Sequence, residues 1–421
     1  MREKLSKNWP PTSNFNDKTS CLAAAVAMAL ISNISLAADT TTSQSTLALP
    51  TASAQSTESL TKASTTDSAI TPNKSSKLSL TTTLSSKSVE DKIVNSKTSG
   101  ALVGLTGERT FTPYLSGVID ITMIMMTGNF SNRYTAEGGA PNGLDISEAS
   151  LTGKLWSHET QSFSLSAGVM PIDFTTLISM WDGPGFAGIK ESYNSDGDQI
   201  KGQIWASQTT PSSSTAAVKS SESGINSQLQ LVGANISTNN LGTSPLTFKA
   251  GATRFDFQNL TSSAATDSQY AGNSVVQIGN QAKFKYQFKG YEGAASMGAK
   301  LNNHWQMEFL ASYLTNTEAP TTLNKAQMGQ IKTSYLGNDV KYTTSVASFY
   351  NEADTLPASY TVAGLGNNNR FGWSASFKSE WEKQKVSAIL KFVQANEIQD
   401  NIYTADRQIL SLSVEAKYDI L

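Results

Sequence analysis

Two histidines, His158 and His304, are the chain's only imidazoles, and both fall in short polar turns between alternating segments. A hydroxyl nucleophile needs a base within hydrogen-bond reach and a third group to orient that base. Ser157 and Glu159 flank His158, but neighbours on a turn point apart, so acyl-transfer chemistry is not expected. Metal sites need several convergent ligands, which two scattered histidines do not supply. The single cysteine, Cys21, excludes an intrachain disulfide and any cysteine-cluster metal site. The aspartates of SYNSDGDQ (192–199) lack the spacing and terminal glutamate of a calcium loop, and loop solvation is the expected reading. In ITMIMM (121–126) the soft ligands Met123 and Met125 share an apolar face with isoleucines, so wall contact is expected. No cofactor and no catalytic residue is expected.

The elements carrying these residues are strands. In QAKFKYQFK (281–289), lysine or glutamine occupies one side, while Ala282, Phe284, Tyr286 and Phe288 occupy the other. HWQMEFLASY (304–313) sets Trp305, Met307, Phe309, Ala311 and Tyr313 against Gln306, Glu308 and Ser312. RQILSLSVEAKYDI (407–420) sets Leu410, Leu412, Val414, Ala416, Tyr418 and Ile420 against Ser411, Ser413, Glu415, Lys417 and Asp419. Such runs, about 9–14 residues long, exceed the usual strand of about 5–6 and suit a tilted membrane crossing of about 9–11. Full charges on their polar faces suit a wet lumen. Apolar residues make up 38% and charged residues 16% of 421, lean for a large soluble core but sufficient where only alternate positions are greasy. The fold class read from the pattern is all-β: an antiparallel transmembrane β-barrel of about 16 strands, within a range of 14–18.

Loop lengths supply an independent argument, since bacterial barrels alternate short periplasmic turns with longer outer loops. Counting back from Leu421, connections at 397–406, 351–370 and 316–325 are long, while those at 382–385, 337–339 and 301–304 are tight. Upstream, 171–199 and 207–227 are both long, which implies a missed strand or an insertion.

Residues 1–38 have the order of a secretory signal, with basic residues, then the apolar run in CLAAAVAMALISNISLAAD (21–39) and a small-residue end. The true start is open, because the stretch before Cys21 is long. Residues 39–100 are nearly half Ser and Thr without an aromatic, and are expected to be a disordered periplasmic segment. The barrel is expected over 101–421. A net charge of −2 gives no reason to expect nucleic acid as a partner.

By this phasing the candidate pore-lining residues are Lys154, Trp156, Lys201, Trp205, Lys283, Lys285, Lys289, Glu308, Lys378, Glu380 and Lys417. Lysines outnumber acids on that face, which argues for a slight anion preference or, equally, for charges that merely hydrate the channel. Lys283, Lys285 and Lys289 form the candidate basic strip. A long segment carrying Asp173, Trp181, Asp182, Asp196 and Asp198 is the candidate constriction loop.

AGVMPIDFTTLISMWDGPGFAG (167–188) resembles a segment of the Gram-negative outer-membrane porin family, in which a strand ends in Met-Pro and leads through Phe, Thr and Trp-Asp into a long loop. Met170, Pro171, Phe174, Thr176, Trp181 and Asp182 carry that order, while GPGFAG replaces the acidic continuation usual in the family. The closing strands through RQILSLSVEAKYDIL are similar too. The resemblance implies a porin in the bacterial outer membrane, passive diffusion of small hydrophilic solutes and ions, and a homotrimer embedded in outer-membrane lipid. Such a barrel would be inserted by the barrel-assembly machinery. Two alternatives stay open: a substrate-selective uptake porin for a siderophore or sugar, and a surface-display adhesin barrel.

Overall fold

The structure, a computed structural model, describes residues 76–132, 138–139, 142–170, 186–197, 200–210, 227–238, 245–361, 365 and 367–420. Sixteen antiparallel strands close into a barrel. In chain order they are β1 (Ser76–Glu90), β2 (Val94–Thr112), β3 (Leu115–Asn132), β4 (Gly143–His158), β5 (Gln161–Met170), β6 (Phe186–Asp196), β7 (Ile200–Thr210) and β8 (Gln228–Thr238). The second half comprises β9 (Leu246–Gln258), β10 (Phe288–Lys300), β11 (Trp305–Asn316), β12 (Lys325–Leu336), β13 (Val340–Asn351), β14 (Arg370–Trp381), β15 (Val386–Glu397) and β16 (Arg407–Asp419). Each pairs with its chain neighbours, and β1 pairs with β16 to complete the circle.

The seam corrects one boundary. Residues 76–100, read from composition as disordered, supply all of β1 and the start of β2. Leu78, Leu80 and Leu84 recur with period two inside the Ser/Thr tract, and Leu80 and Leu84 stand opposite Tyr418 and Val414 of β16. A second strand also went unread: β6, within the segment taken as one long loop. Residues 1–75 lie outside the described residues, so the expected signal peptide and the remainder of the Ser/Thr segment do too.

Cross-strand partners point to the same side of a sheet, so the registers assign every face. One face carries Met123, Leu151, Ile204, Val232, Phe309, Ile331, Val346 and Leu390, all large, apolar and exposed. In water such a continuous belt would drive aggregation; in a bilayer it is the lipid contact. Aromatics rim the belt at both ends. Trp305 and Tyr335, with ring centroids 5.0 Å apart, stand near the tight turns. Tyr313 and Trp373 stand near the long connections. The eight residue steps from Trp305 to Tyr313 span about 27 Å along the strand, or about 21 Å of height at a tilt of about 40°, close to the band of such barrels.

Turn lengths alternate as expected from the C-terminus back: Lys300 to Trp305, Leu336 to Val340 and Trp381 to Val386 are tight, and their counterparts at the other end are long. Glu159 (φ 49°) and Lys385 (φ 53°) take the left-handed conformation that such reversals demand.

Candidate functional site: the lumen and its inward connections

Ion pairs line the inner face. Glu308 pairs with Lys332 across β11 and β12 (3.6 Å). Glu380 accepts from Lys378 at 2.6 Å and meets Lys341 at 3.6 Å. Lys201 meets Asp196 at 3.7 Å near the β6–β7 turn. Lys417 stands opposite Thr81 on the inner face, and Lys154 opposite Ser164. These six of the sequence-derived lining residues, Lys154, Lys201, Glu308, Lys378, Glu380 and Lys417, therefore sit on the lumen side.

Trp156 does not. A bulge between Lys154 and Trp156 inserts one extra residue, so Trp156 pairs with Phe163 on the lipid side and stacks on His158 at 6.2 Å. Trp205 does face inward, but it is buried at 4% exposure. Lys190 lies 5.3 Å from its ring, and Gly233 packs so closely that an added Cβ would come within 2.6 Å of it.

The proposed basic strip is not a stave of the wall. Gln281–Phe284 pairs with Val275–Ile278 as a separate two-stranded hairpin, the ladder breaks, and β10 begins only at Phe288. Period-two alternation cannot separate a hairpin packed on a core from a barrel strand, because both bury alternate residues. Ala282 and Phe288 are buried, with Phe284 against Phe288 at 4.9 Å, while Lys283 and Lys285 are exposed. Lys289 points outward, opposite Asp256 at 3.7 Å. All three lysines instead line one cavity of about 1150 Å3 at the long-loop end, together with Asp256 and Glu318.

That hairpin belongs to the 259–287 connection, which folds onto the inner face of the wall. It begins with helix α1 (Ser262–Gln269), capped by Thr261, whose hydroxyl oxygen accepts from the Ala264 amide at 3.1 Å. Ala264 joins an apolar cluster with the inward residues Leu229, Leu231, Phe255, Phe257, Phe288 and Leu314, and with Leu356 and Tyr360 of the 352–369 connection. Inward apolar residues at the loop end of the wall are thus dry because two connections cover them.

Asparagines bind the two connections together. Asn273 donates to the carbonyls of Ala353 (2.7 Å) and Leu356 (2.9 Å) and accepts from the Ala358 amide (2.5 Å). Asn368 donates to the same two carbonyls at 2.9 and 2.6 Å. Gly272, at φ 108°, lies so near Asn368 that a Cβ would sit 2.5 Å from its carbonyl oxygen. Ser274 N donates to Asp354 at 2.8 Å. Burial pushes the Asp354 carboxyl above its ordinary range, against the pull of Ser274 and Asn273. Buried backbone groups left without partners cost about 1–3 kcal/mol each. Asn273→Ala is therefore expected to loosen the connections and to speed trypsin cleavage after Lys283 or Lys285 in the folded barrel. An unchanged cleavage rate would show that the asparagine does not hold them.

Of the candidate constriction residues, Asp173, Trp181, Asp182 and Asp198 lie outside the described residues. Asp196 ends β6 on the inner face. The described inward elements come from 259–287 and 352–369 instead.

Sequence phasing places Lys391 on the lumen face but misses the basic group it joins on the inner face of β14, β15, β16 and β1. Lys87 and Lys391 stand opposite Ser411 from either side, in one row across three strands. Arg407 and Arg370 follow toward the loop end, with Arg407 bonded to Asp91 at 2.6 Å and Arg370 to the carbonyl of Ala405. Lys87 was hidden in the tract assigned to disorder. Arg407 was legible from the phase of the last strand.

The wall and lumen define a porin-like transmembrane β-barrel. Solved structures agree in fold. OprB of Pseudomonas putida superposes with a TM-score of 0.50 at 12% identity, over 82% of this chain and 94% of that one. OmpT of Vibrio cholerae, as its loop L8 deletion mutant, gives 0.48 at 8% identity, over 82% and 99%. The outer membrane channel DcaP of Acinetobacter baumannii gives 0.45 at 12%, over 82% and 97%. At such identities the likeness concerns fold alone, and the OprB superposition carries it. No family model and no curated protein matches the chain.

Proposed function

We propose that the chain is an outer-membrane porin, a water-filled channel for passive diffusion of small hydrophilic solutes and ions. The observation that carries this reading is the closed sixteen-stranded wall with paired charges inside and an apolar, aromatic-rimmed belt outside. Among strand assemblies only a closed ladder satisfies every backbone group in hydrocarbon, and a barrel of this size leaves room for water. The inner charges form ion pairs within and across strands rather than a nucleophile–base pair, so the reading is a conduit and not an enzyme. Export through the 1–38 signal, insertion by the barrel-assembly machinery and a homotrimeric state belong to the same proposal.

The lumen basic group favours anions over cations, because fixed positive charge raises the local concentration of anions in a low-dielectric cavity. Selective uptake of one solute class is the second reading. It is favoured by the two connections packed on the inner wall, which narrow the loop end. Purified mature protein in planar bilayers is expected to give voltage-independent steps, and liposome swelling should fall gradually with sugar size. A sharp preference for one sugar among isomers would favour selective uptake; absence of any conductance would sink both.

A further inference from the structure

The cavity of about 1150 Å3 at the loop end is built from chain that is fastened on two sides. Gln281–Phe284 is held by its ladder to Val275–Ile278, and the tie continues through Lys285 N, which donates to Ser274 O at 3.0 Å. Gln287 to Lys289 is held by one side chain, Asn316. Its amide nitrogen donates to the Gln287 carbonyl at 2.8 Å, and its oxygen accepts from the backbone amides of Lys289 (3.2 Å) and Glu318 (3.0 Å). Phe257, Ala282 and Phe288, all buried, line the same space. A site whose lining is held in this way loses little ordering entropy when it takes a ligand.

Its charges do not cancel. Three lysines line it against two acids, Asp256 and Glu318, and Asp256 is taken by Lys289 at 3.7 Å. Lys283 makes neither an ion pair nor a hydrogen bond among the described residues. Lys285 holds its ammonium 5.4 Å from the Tyr286 ring centroid; it also acts on Asp354, a buried carboxyl that accepts from Ser274 N. Lys283 and Lys285 stand two residues apart, about 7 Å along a strand, and their like charges repel until an anion joins them. A phosphate monoester, with a charge of about −1.5 to −2 at pH 7, matches two ammonium groups; a carboxylate matches one. The rest of the lining suits a hydroxylated body. Gln281 and Gln287 are exposed amides, Phe284 and Tyr286 half-buried rings. An amide donates and accepts at once, as a hydroxyl does. The volume is at the upper end of ordinary ligand pockets, about 300–1,000 Å3, far more than a bare ion needs.

We propose that this cavity binds a phosphorylated sugar, with Lys283 and Lys285 on the phosphate and the glutamines and rings on the sugar. Such a site goes beyond the porin reading, because binding there does not require the ligand to cross the pore. The test is calorimetric titration of the purified full-length barrel in detergent at about 0.1 M salt, with heat-modifiability on gels as the control for folding. Glucose 6-phosphate is expected to bind saturably with a Kd of about 0.1–1 mM, at least tenfold tighter than inorganic phosphate or glucuronate. Lys283→Gln with Lys285→Gln should weaken it more than tenfold, while Lys283→Arg, which keeps the charge, should change it less than threefold. The ester can arrive as a free solute or as the head group of an outer-leaflet glycolipid. Lipopolysaccharide that abolishes the titration assigns the lipid, and a titration it leaves intact assigns the solute. No binding of glucose 6-phosphate below about 10 mM, equal affinity for inorganic phosphate or glucuronate, or affinity that the double substitution leaves unmoved overturns the proposal.

Discussion

Excision of residues 259–287, with Gln258 joined to Phe288 by a four-residue glycine–serine loop, is expected to raise single-channel conductance several-fold. The ends to be joined are already adjacent, because Phe257 and Phe288 are register partners, so a tight hairpin spans them without strain. What is lost is α1 and the inner hairpin. What is gained is cross-section, since the removed chain packs on inward residues of β8 to β11. Resistance of a water-filled pore concentrates at its narrowest point, so clearing that point acts on the whole current. The excision also exposes Leu229, Leu231, Phe255 and Leu314 to water, each costing about 1.5–3 kcal/mol of burial. A lower unfolding temperature should therefore accompany the larger current. Conductance that stays at the wild-type level would mean that this connection roofs the barrel without narrowing it. By contrast, deleting 183–195, inside the segment that sequence marks as the candidate constriction loop, would remove most of β6 and break the wall.

Reversing two charges is expected to change which ions pass. Lys87→Glu together with Lys391→Glu alters the inner face by four charge units in one row, on either side of Ser411. Arg407 cannot compensate freely, because Asp91 already engages it. The double variant should shift the zero-current potential in a salt gradient from the anion side to the cation side. The gradient belongs at about 0.1 M, where screening extends over roughly 10 Å, and not at 1 M, where it shrinks to about 3 Å. A zero-current potential unmoved by both substitutions would remove the anion preference from the functional reading. The same pair of reversals at Lys283 and Lys285 should matter less, because those lysines ride on the inner hairpin at the loop end.

Much of the wall was legible before any coordinates. The faces of β11 and β16 follow from alternation alone, and the tight and long connections after β10 fall where turn chemistry put them. The losses have separate physical origins. β1 was missed because composition averaged over sixty residues diluted three leucines at even spacing. β6 was missed because its outward face mixes Ile189 and Tyr193 with Ala187 and Glu191, too weak an alternation to stand out between long connections. Trp156 was turned around by one inserted residue, which no periodicity can reveal. The segment 281–289 was misplaced because a hairpin on a protein core and a stave in lipid obey the same two-residue rhythm. The candidate site suffered most, since inward folding of the 259–287 and 352–369 connections rests on asparagine bonds between positions some eighty residues apart, such as Asn273 and Ala353.

The seam between β1 and β16 has a consequence for how the molecule comes into being. Ser79 and Asp419 are neighbours across it although most of the sequence separates them, so closing the ring costs the largest loop entropy of any pairing in the wall. Trimming either terminus by one stave would leave two raw edges facing hydrocarbon, where no water can satisfy them. Both ends of this cylinder are thus equally indispensable, and its geometry tolerates lengthening or shortening only between staves.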